Sequence, residues 1–207
     1  MSKLRVGRIS IFIGFAAVAF LQAPAPGGSQ NPVPVPMARY ADPDGDVSFE
    51  YPVVWKIDNS AKFYIPPMIL QGDRKPRVQV VFSPVGNLYE KTTLHSLVFA
   101  YVKSPQPSAD ACAAMVASPA SDKVETMTIN GVPFQHFEME DAAMCHGAKQ
   151  EVYWTYRNGV CYLFEGDMDT TCLGAVDGQR DLTPSERRAL MRHLNAIPQS
   201  IRFADAR

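Results

Sequence analysis

The first predicted strand of this chain is indicated by an alternation of apolar and polar side chains. Val47, Phe49 and Tyr51 alternate with polar residues, which predicts a strand with one buried face. Pro52 has no N–H to donate to a neighbouring strand, so it predicts the end of this one. Runs rich in apolar and β-branched residues predict three further strands, over 62–70, 78–82 and 93–102.

Two Asn-Gly pairs predict two β-hairpins in the second half of the chain. Asn-Gly favours the type I′ turn because both central residues of that turn need a positive φ. Asn130-Gly131 would join strands 123–129 and 132–140, and Asn158-Gly159 would join strands 150–157 and 160–166. A two-residue loop at the second pair sets Tyr156 opposite Cys161.

Two segments have helical patterns. Residues 108–117 are rich in alanine, begin at Ser108 as a good N-cap and stop before Pro119. The second helix is predicted to begin after Thr183, where Pro184 and Glu186 complete a capping box. Leu190, Leu194 and Ile197 form its apolar stripe, and Pro198 is predicted to end it. A last strand is predicted over 200–203.

Strands joined mainly by hairpins, with helices inserted, predict an α+β fold. We expect a single domain over residues 39–205, with a mainly antiparallel β-sheet flanked by the two helices. A domain of about 170 residues is large enough to bury a full hydrophobic core.

The amino-terminal pattern is typical of a secretory signal peptide. Lys3, Arg5 and Arg8 precede the apolar run 9–21, and small residues and prolines follow. We therefore interpret residues 1–27 as a signal peptide and 28–38 as a proline-rich linker. The apolar run is shorter than the roughly 20 residues that span a bilayer, so no membrane span is expected after cleavage. The sequence thus predicts a secreted or periplasmic protein.

The charge balance argues against nucleic acid as a partner. The chain has 20 Lys and Arg against 21 Asp and Glu, a net charge of -1. A nucleic-acid binder would be expected to show a basic excess or a basic stripe.

Four cysteines follow the predicted signal peptide. Continuing the second hairpin away from its turn places Cys145 opposite Cys172, within disulfide range. The same parity puts Cys161 on the other face, where the alanine-rich helix would bring Cys112. Disulfides Cys145–Cys172 and Cys112–Cys161 are therefore predicted, with one pair remaining as buried thiols as the alternative. No Cys-x-x-Cys is present, so redox catalysis is not expected.

The segment Asp42-Pro-Asp44-Gly-Asp46 invites comparison with a calcium loop. The EF-hand pattern needs glycine at its sixth position and an acid at its twelfth, but here Gly45 is fourth and Val53 is twelfth. A turn that leads into the first strand explains these residues without a metal.

The four histidines, His95, His136, His146 and His193, fall on different predicted elements without a metal-ligand spacing. His136 is predicted to face Glu125 across the first hairpin as an exposed ion pair. His146 follows a cysteine, but neighbours in sequence do not make a catalytic dyad.

Acidic and aromatic groups offer two further candidates. Glu138, Glu140 and Asp141 would be either paired carboxylates for acid–base chemistry or a solvated strand edge, and the edge is the simpler interpretation. The ring set Tyr153, Tyr162 and Phe164 lies on the hairpin face opposite Trp154. It would be either a second packed layer or an exposed binding patch, and burial on both faces is favoured.

Both ends of the predicted domain resemble PsbP-like and DcrB-like domains. Residues 40–55 contain an aromatic-Pro-x-x-Trp element, Tyr51-Pro52-Val-Val-Trp55, which is similar to the opening of that superfamily. Residues 194–203, a helix that delivers a short last strand, resemble its end. The resemblance implies an α/β/α sandwich and a buried Trp55, and it implies no activity or site residue.

No catalytic, cofactor-binding or metal-binding residue is predicted, and two functional hypotheses remain. The first is a non-enzymatic exported domain that binds an envelope protein or a small ligand, on a sheet face or in a groove between sheet and helix. The alternative is a hydrolase-like or metal-dependent envelope enzyme whose site combines His146 with Glu138 or Asp141. A concave cluster of histidine and carboxylates would favour the enzyme.

Overall fold

A computed structural model describes residues 35–58, 76–84, 87–116, 124–143, 145–172 and 178–204. These residues form one α+β domain with two antiparallel sheets and two helices, which confirms the predicted fold class. The elements in chain order are β1 (Met37–Ala41), β2 (Val47–Pro52), β3 (Lys56–Asp58), β4 (Val78–Phe82), β5 (Leu94–Pro105), α1 (Ala109–Ala113), β6 (Glu125–Ile129), β7 (Val132–Ala143), β8 (His146–Arg157), β9 (Val160–Thr171), α2 (Pro184–Gln199) and β10 (Arg202–Phe203).

The larger sheet has seven strands in the order β3-β4-β5-β9-β8-β7-β6, and the smaller has the order β1-β2-β10. Both predicted hairpins are present at the predicted turns. Asn130 and Asn158 have φ values of 47° and 51°, and the glycines that follow them also have positive φ. Tyr156 is paired with Cys161 in the ladder, as the turn chemistry predicts.

The larger sheet is buried on both faces. One face packs against α2 and the smaller sheet through a core that includes Phe49, Phe99, Phe164 and Leu194. The other face packs against α1. The helices therefore lie on opposite sides of the sheet, and the ring set of Tyr153, Tyr162 and Phe164 is buried, as favoured from the sequence.

Both helices differ in length from their predictions. Ser108 caps α1 as expected, but the α-helix ends at Ala113, because the N–H groups of Met115 and Val116 bond three positions back instead of four. The capping box at Thr183 and Glu186 is present in α2. Pro198 does not end this helix as predicted: its fixed φ of about −65° is compatible with helical backbone, and α2 continues one residue further, to Gln199.

Three strands show where the sequence pattern was incomplete. β1 was not predicted: it begins at Met37, within the segment interpreted as linker, and pairs with β2. β3 was not predicted either, and it pairs with β4. The last strand, β10, covers only two of the four residues expected. The predicted strand over 62–70 lies outside the described residues, as does the predicted signal peptide.

Trp55 follows β2 and is buried, 5% exposed, which the PsbP-like resemblance implied. Its indole packs against the ring of Phe82 on β4, with ring centroids 5.8 Å apart. Among the described residues, no helix is long and apolar enough to cross a membrane.

Candidate binding groove between helix and sheet

One flank of α2 and the strands β7 and β8 enclose a groove, here called the helix–sheet groove. Leu194 holds the helix against the sheet directly above Gly166 of β9. A Cβ at position 166 would lie 3.2 Å from Leu194 Cγ, so the absence of a side chain allows this close approach. Arg187 and Asn195 project from the same helix toward β7 and β8.

A cavity of about 310 Å³ occupies one end of the groove, near the first residues of β8 and the last residues of β9. Its charged lining comes from Glu140, Lys149 and Arg187, and its remaining lining is mostly small: Ala142, Gly147, Ala148, Met168 and Thr170. Within the described ranges, the exposed guanidinium of Arg187 has no hydrogen-bonded or ionic partner. The cavity therefore presents to a ligand the Arg187 cation, which is unpaired among the described residues.

Lys149 connects this cavity to the carboxylates on β7. Its Nζ lies 3.3 Å from Glu138 and 3.4 Å from Glu140. Partial burial alone would lower the pKa of Lys149, but the attraction of Glu138 and Glu140 outweighs it and raises that pKa. The positive charge of Lys149 is therefore balanced by two carboxylates, unlike the charge of Arg187.

Beside Lys149, the groove holds a cluster of a histidine and two glutamates. Glu138 and Glu151 are directly opposite in the β7–β8 ladder. Glu151 is 4% exposed and accepts hydrogen bonds from the Tyr153 hydroxyl and, at 2.8 Å, from Asn195 Nδ2. The Nε2 atom of His136 lies 4.0 Å from Glu151 Oε2. This pattern was not predicted, because the β7–β8 register could not be deduced from the sequence.

The structure places the four histidines apart from one another. His136 is paired with Glu125 in the ladder as predicted, but its imidazole is only 15% exposed because it stacks on Tyr153. His95 is exposed on β5. On α2, burial and then the charge of Arg192 lower the pKa of His193.

The structure does not bring His146 and Glu138, one pair of the alternative site, together. His146 is 66% exposed, and its Nδ1 lies 3.9 Å from Asp169 on β9. Its ladder position is five residues from Glu151, the partner of Glu138, or roughly 17 Å along the strand. Glu138 and Glu140 are 54% and 74% exposed on the strand edge, as predicted. The Asp141 side chain lies outside what the structure describes.

The aspartate segment before β2 forms the predicted turn, with the Gly45 N–H bonded to the Asp42 carbonyl. Its three carboxylates converge on one lysine of β5. Lys103 Nζ lies 2.7 Å from Asp44, 2.8 Å from Asp46 and 3.6 Å from Asp42. The ammonium thus supplies a positive charge among the carboxylates and ties the turn to the larger sheet.

The pKa values around Lys103 follow from this arrangement. Burial would lower the pKa of Lys103, but hydrogen bonds to Asp44 and Asp46 outweigh it and raise that pKa. Burial, followed by the hydrogen bond to Asp46, raises the pKa of Tyr162 to about 12. Lys103 therefore remains charged, and Tyr162 neutral, throughout the physiological range.

The cysteines lie as the hairpin register predicted. Cys112 of α1 and Cys161 of β9 are at disulfide distance, with Cα atoms 5.3 Å apart. Cys145 and Cys172 are opposite each other, and the Cys172 N–H donates to the Cys145 carbonyl at 3.0 Å. The structure shows this second pair as free thiols, so the bridge between them stays a prediction.

The face under α1 carries a partly buried acid that the sequence did not single out. Asp167 of β9 is paired with Gln150, whose side chain is fully buried and without a hydrogen-bond partner among the described residues. Burial, and to a lesser extent the charge of Asp169, raise the pKa of Asp167 to about 7. Asp167 therefore titrates near neutral pH.

Asp167→Asn is expected to stabilise the protein at pH 8 by about 2 to 4 kcal/mol. The pKa of Asp167 is about 7 in the folded chain and about 4 in the unfolded chain. Between about pH 4 and about pH 7 the folded chain therefore binds more protons than the unfolded chain. The free energy of unfolding of the wild type therefore falls as pH rises from about 4 to about 7. Urea unfolding at pH 4.5 and pH 8 measures this difference. A variant that gained as much stability at pH 4.5 as at pH 8 would contradict the shifted pKa.

No protein-family model matches the chain, and a search of the curated proteins also finds no match. Thirteen chains in solved structures are similar to it. A protein from Bacteroides thetaiotaomicron is 9% identical with a TM-score of 0.44; the match covers 81% of this chain, which spans about half (48%) of that protein.

Two further structures are similar over nearly their whole length. LpqN, described as involved in cell envelope biogenesis of Mycobacterium tuberculosis, is 11% identical with a TM-score of 0.44, over 82% of this chain and 91% of its own. The cyanobacterial PsbP of Synechocystis is 15% identical with a TM-score of 0.43, over 86% and 98%. A PsbP is thus among the similar structures. Likenesses of this size carry no argument about function.

Proposed function

We propose that this protein is an exported, non-enzymatic domain that binds a small anionic molecule in the helix–sheet groove. The observation that carries the proposal is the cavity of about 310 Å³ with Arg187 at its wall. This volume is at the lower end of the range for small-molecule sites, about 300 to 1,000 Å³.

The charges of the cavity favour a ligand that carries a carboxylate or phosphate group. Lys149 already contacts two glutamates, whereas the guanidinium of Arg187 has no partner within the described part of the chain. A guanidinium can donate two parallel hydrogen bonds to a carboxylate or a phosphate. The small residues of the lining leave space for the body of the ligand.

The proposed location outside the cytoplasm has two supports. The amino-terminal sequence has the charge and apolar pattern of a signal peptide. Cys112 and Cys161 lie at disulfide distance, and such bonds persist mainly in oxidising compartments. An envelope protein as an additional partner remains an expectation from the sequence.

Replacement of Arg187 tests this proposal. Small mono- and dicarboxylates, sugar phosphates and their neutral amide or alcohol analogues are added to the purified protein, and the shift in melting temperature is recorded. We expect at least one anionic probe to stabilise the wild type, with its neutral analogue inactive. Arg187→Gln should lose about tenfold or more in affinity, the effect of one charge-assisted hydrogen-bonded pair.

Arg188→Gln is the matched control, because Arg188 is the adjacent exposed arginine and does not line the cavity. It should bind the same probe as the wild type does. If no anionic probe stabilises the wild type, or if both variants bind it equally well, the groove is not an anion site of the proposed kind.

A further inference from the structure

We propose that His136, Glu138 and Glu151 form a binding site for one divalent transition-metal ion, with zinc as the expected ion. Each of the three residues offers one ligand atom, and these atoms all lie within 4.8 Å of one another. An imidazole nitrogen together with carboxylate oxygens suits zinc or manganese better than calcium or magnesium, which prefer oxygen ligands alone.

The two glutamates are placed where their charges repel. Glu138 and Glu151 are direct partners in the antiparallel ladder, and like charges at such positions destabilise a sheet. Lys149 contacts Glu138 but is shared with Glu140. A divalent cation between the two glutamates would remove this repulsion.

His136 supplies an unsatisfied ligand atom. Its Nε2 is covered by protein and has no hydrogen-bond partner among the described residues, and Glu151 Oε2 is 4.0 Å away. A covered polar atom without a partner is costly, and coordination to a metal would satisfy it. Stacking on Tyr153, with ring centroids 4.5 Å apart, holds the imidazole in this orientation.

Glu151 is also held in place by its neighbours. Tyr153 donates its hydroxyl to one carboxylate oxygen, and Asn195 of α2 donates to the other at 2.8 Å. Such outer hydrogen bonds orient the ligands in protein metal sites, and their loss typically costs 10- to 100-fold in metal affinity. Tyr153 and Asn195 are therefore positioning residues.

The third ligand provides access to the site. The side chain of Glu138 is 54% exposed, so it can move inward by about the 1 Å that a coordination sphere with ligand atoms roughly 3.4 Å apart requires. Lys149 can then keep its contact with Glu140. Three protein ligands on a partly exposed site leave a coordination position open to water or to a bound molecule.

The test titrates zinc chloride into the untagged full chain, freed of metal by a chelator. Cys145 and Cys172 are first replaced by serine, because two facing thiols are themselves zinc ligands. Calorimetry should then show one zinc per chain. We expect Glu138→Gln to weaken binding by about 100-fold and Tyr153→Phe by about 10-fold.

Glu140→Gln is the matched control, since Glu140 is the next carboxylate on the same face of β7 and also contacts Lys149. It should change zinc affinity by less than about threefold. Zinc X-ray absorption should show imidazole nitrogen and carboxylate oxygen, without sulfur. The proposal is overturned if the parent binds no zinc, if Glu138→Gln binds as well as the parent, or if Glu140→Gln loses as much.

The zinc site and the anion site are tested with different variants. Arg187→Gln should leave zinc affinity unchanged, because Arg187 is not a ligand, and Glu138→Gln is assayed without any anionic probe. A failure of zinc binding therefore leaves the result at Arg187 as it is, and the reverse also holds.

Discussion

Lys103→Met should lower the free energy of unfolding by about 3 to 5 kcal/mol, the usual cost of removing one partner from a buried ion pair. Lys103 is 11% exposed, and its partner Asp42 has a fully buried side chain. Without the ammonium, the carboxylate of Asp42 still accepts a hydrogen bond from the hydroxyl of Tyr101 at 2.9 Å, while Asp44 and Asp46 repel it. Urea unfolding at pH 7 measures the loss.

Lys149→Met is the matched control for this change. Lys149 also contacts two carboxylates, but both belong to glutamates that are more than half exposed. Exposed ion pairs of this kind contribute about 0 to 1 kcal/mol. Adding Asp42→Asn to Lys103→Met should recover part of the stability, because it removes the buried charge. Equal losses for Lys103→Met and Lys149→Met would contradict the structural role assigned to the aspartate turn.

The features that could be predicted from the sequence are those set by local chemistry. Asn-Gly turns fixed the loop lengths of both hairpins, and the period of two along each strand then gave the pairing of Tyr156 with Cys161. Continued across the sheet, the same parity placed Cys112 against Cys161. The α2 capping box is likewise a signal within four residues.

The features that could not be predicted depend on contacts between distant segments. β7 and β8 are joined at 144–145, a connection without a Gly or Asn signal, so the alignment of Glu138 with Glu151 could not be inferred. Asn195 of α2, which contacts the same cluster, is 44 residues beyond its partner Glu151 in the sequence. The β1 strand was missed for a different reason: it pairs with β2 in a local hairpin, but prolines precede it and it begins in the segment interpreted as a linker.

The same limit applies to Lys103. The aspartate turn was correctly predicted as a turn, but its counter-ion lies on β5, far along the chain. Nothing in the spacing of the aspartates identifies that lysine. The turn residues are thus predictable as local structure, while their contribution to stability is not.

Replacing Cys112 and Cys161 together by alanine should lower the free energy of unfolding by about 4 kcal/mol. The two residues are separated by 49 positions, and closing a loop of that length in the unfolded chain gives this value on the chain-entropy model. Both are buried, at 0% and 1% exposed, so the double variant also loses packing against Trp154 and Leu163. Unfolding in urea, with and without reductant, measures the effect.

The second cysteine pair provides the comparison and tests the proposed compartment. Cys145 and Cys172 face each other at the open end of the β8–β9 hairpin, the geometry from which a bridge was predicted. If the bridge forms on export, alanine at both positions should cost about 3 to 4 kcal/mol; if they remain thiols at the surface, it should cost almost nothing. Thiol titration of the exported, denatured protein separates these cases. We expect no reactive thiols, two would leave Cys112–Cys161 as the sole bridge, and four would contradict both bridges and the extracytoplasmic location.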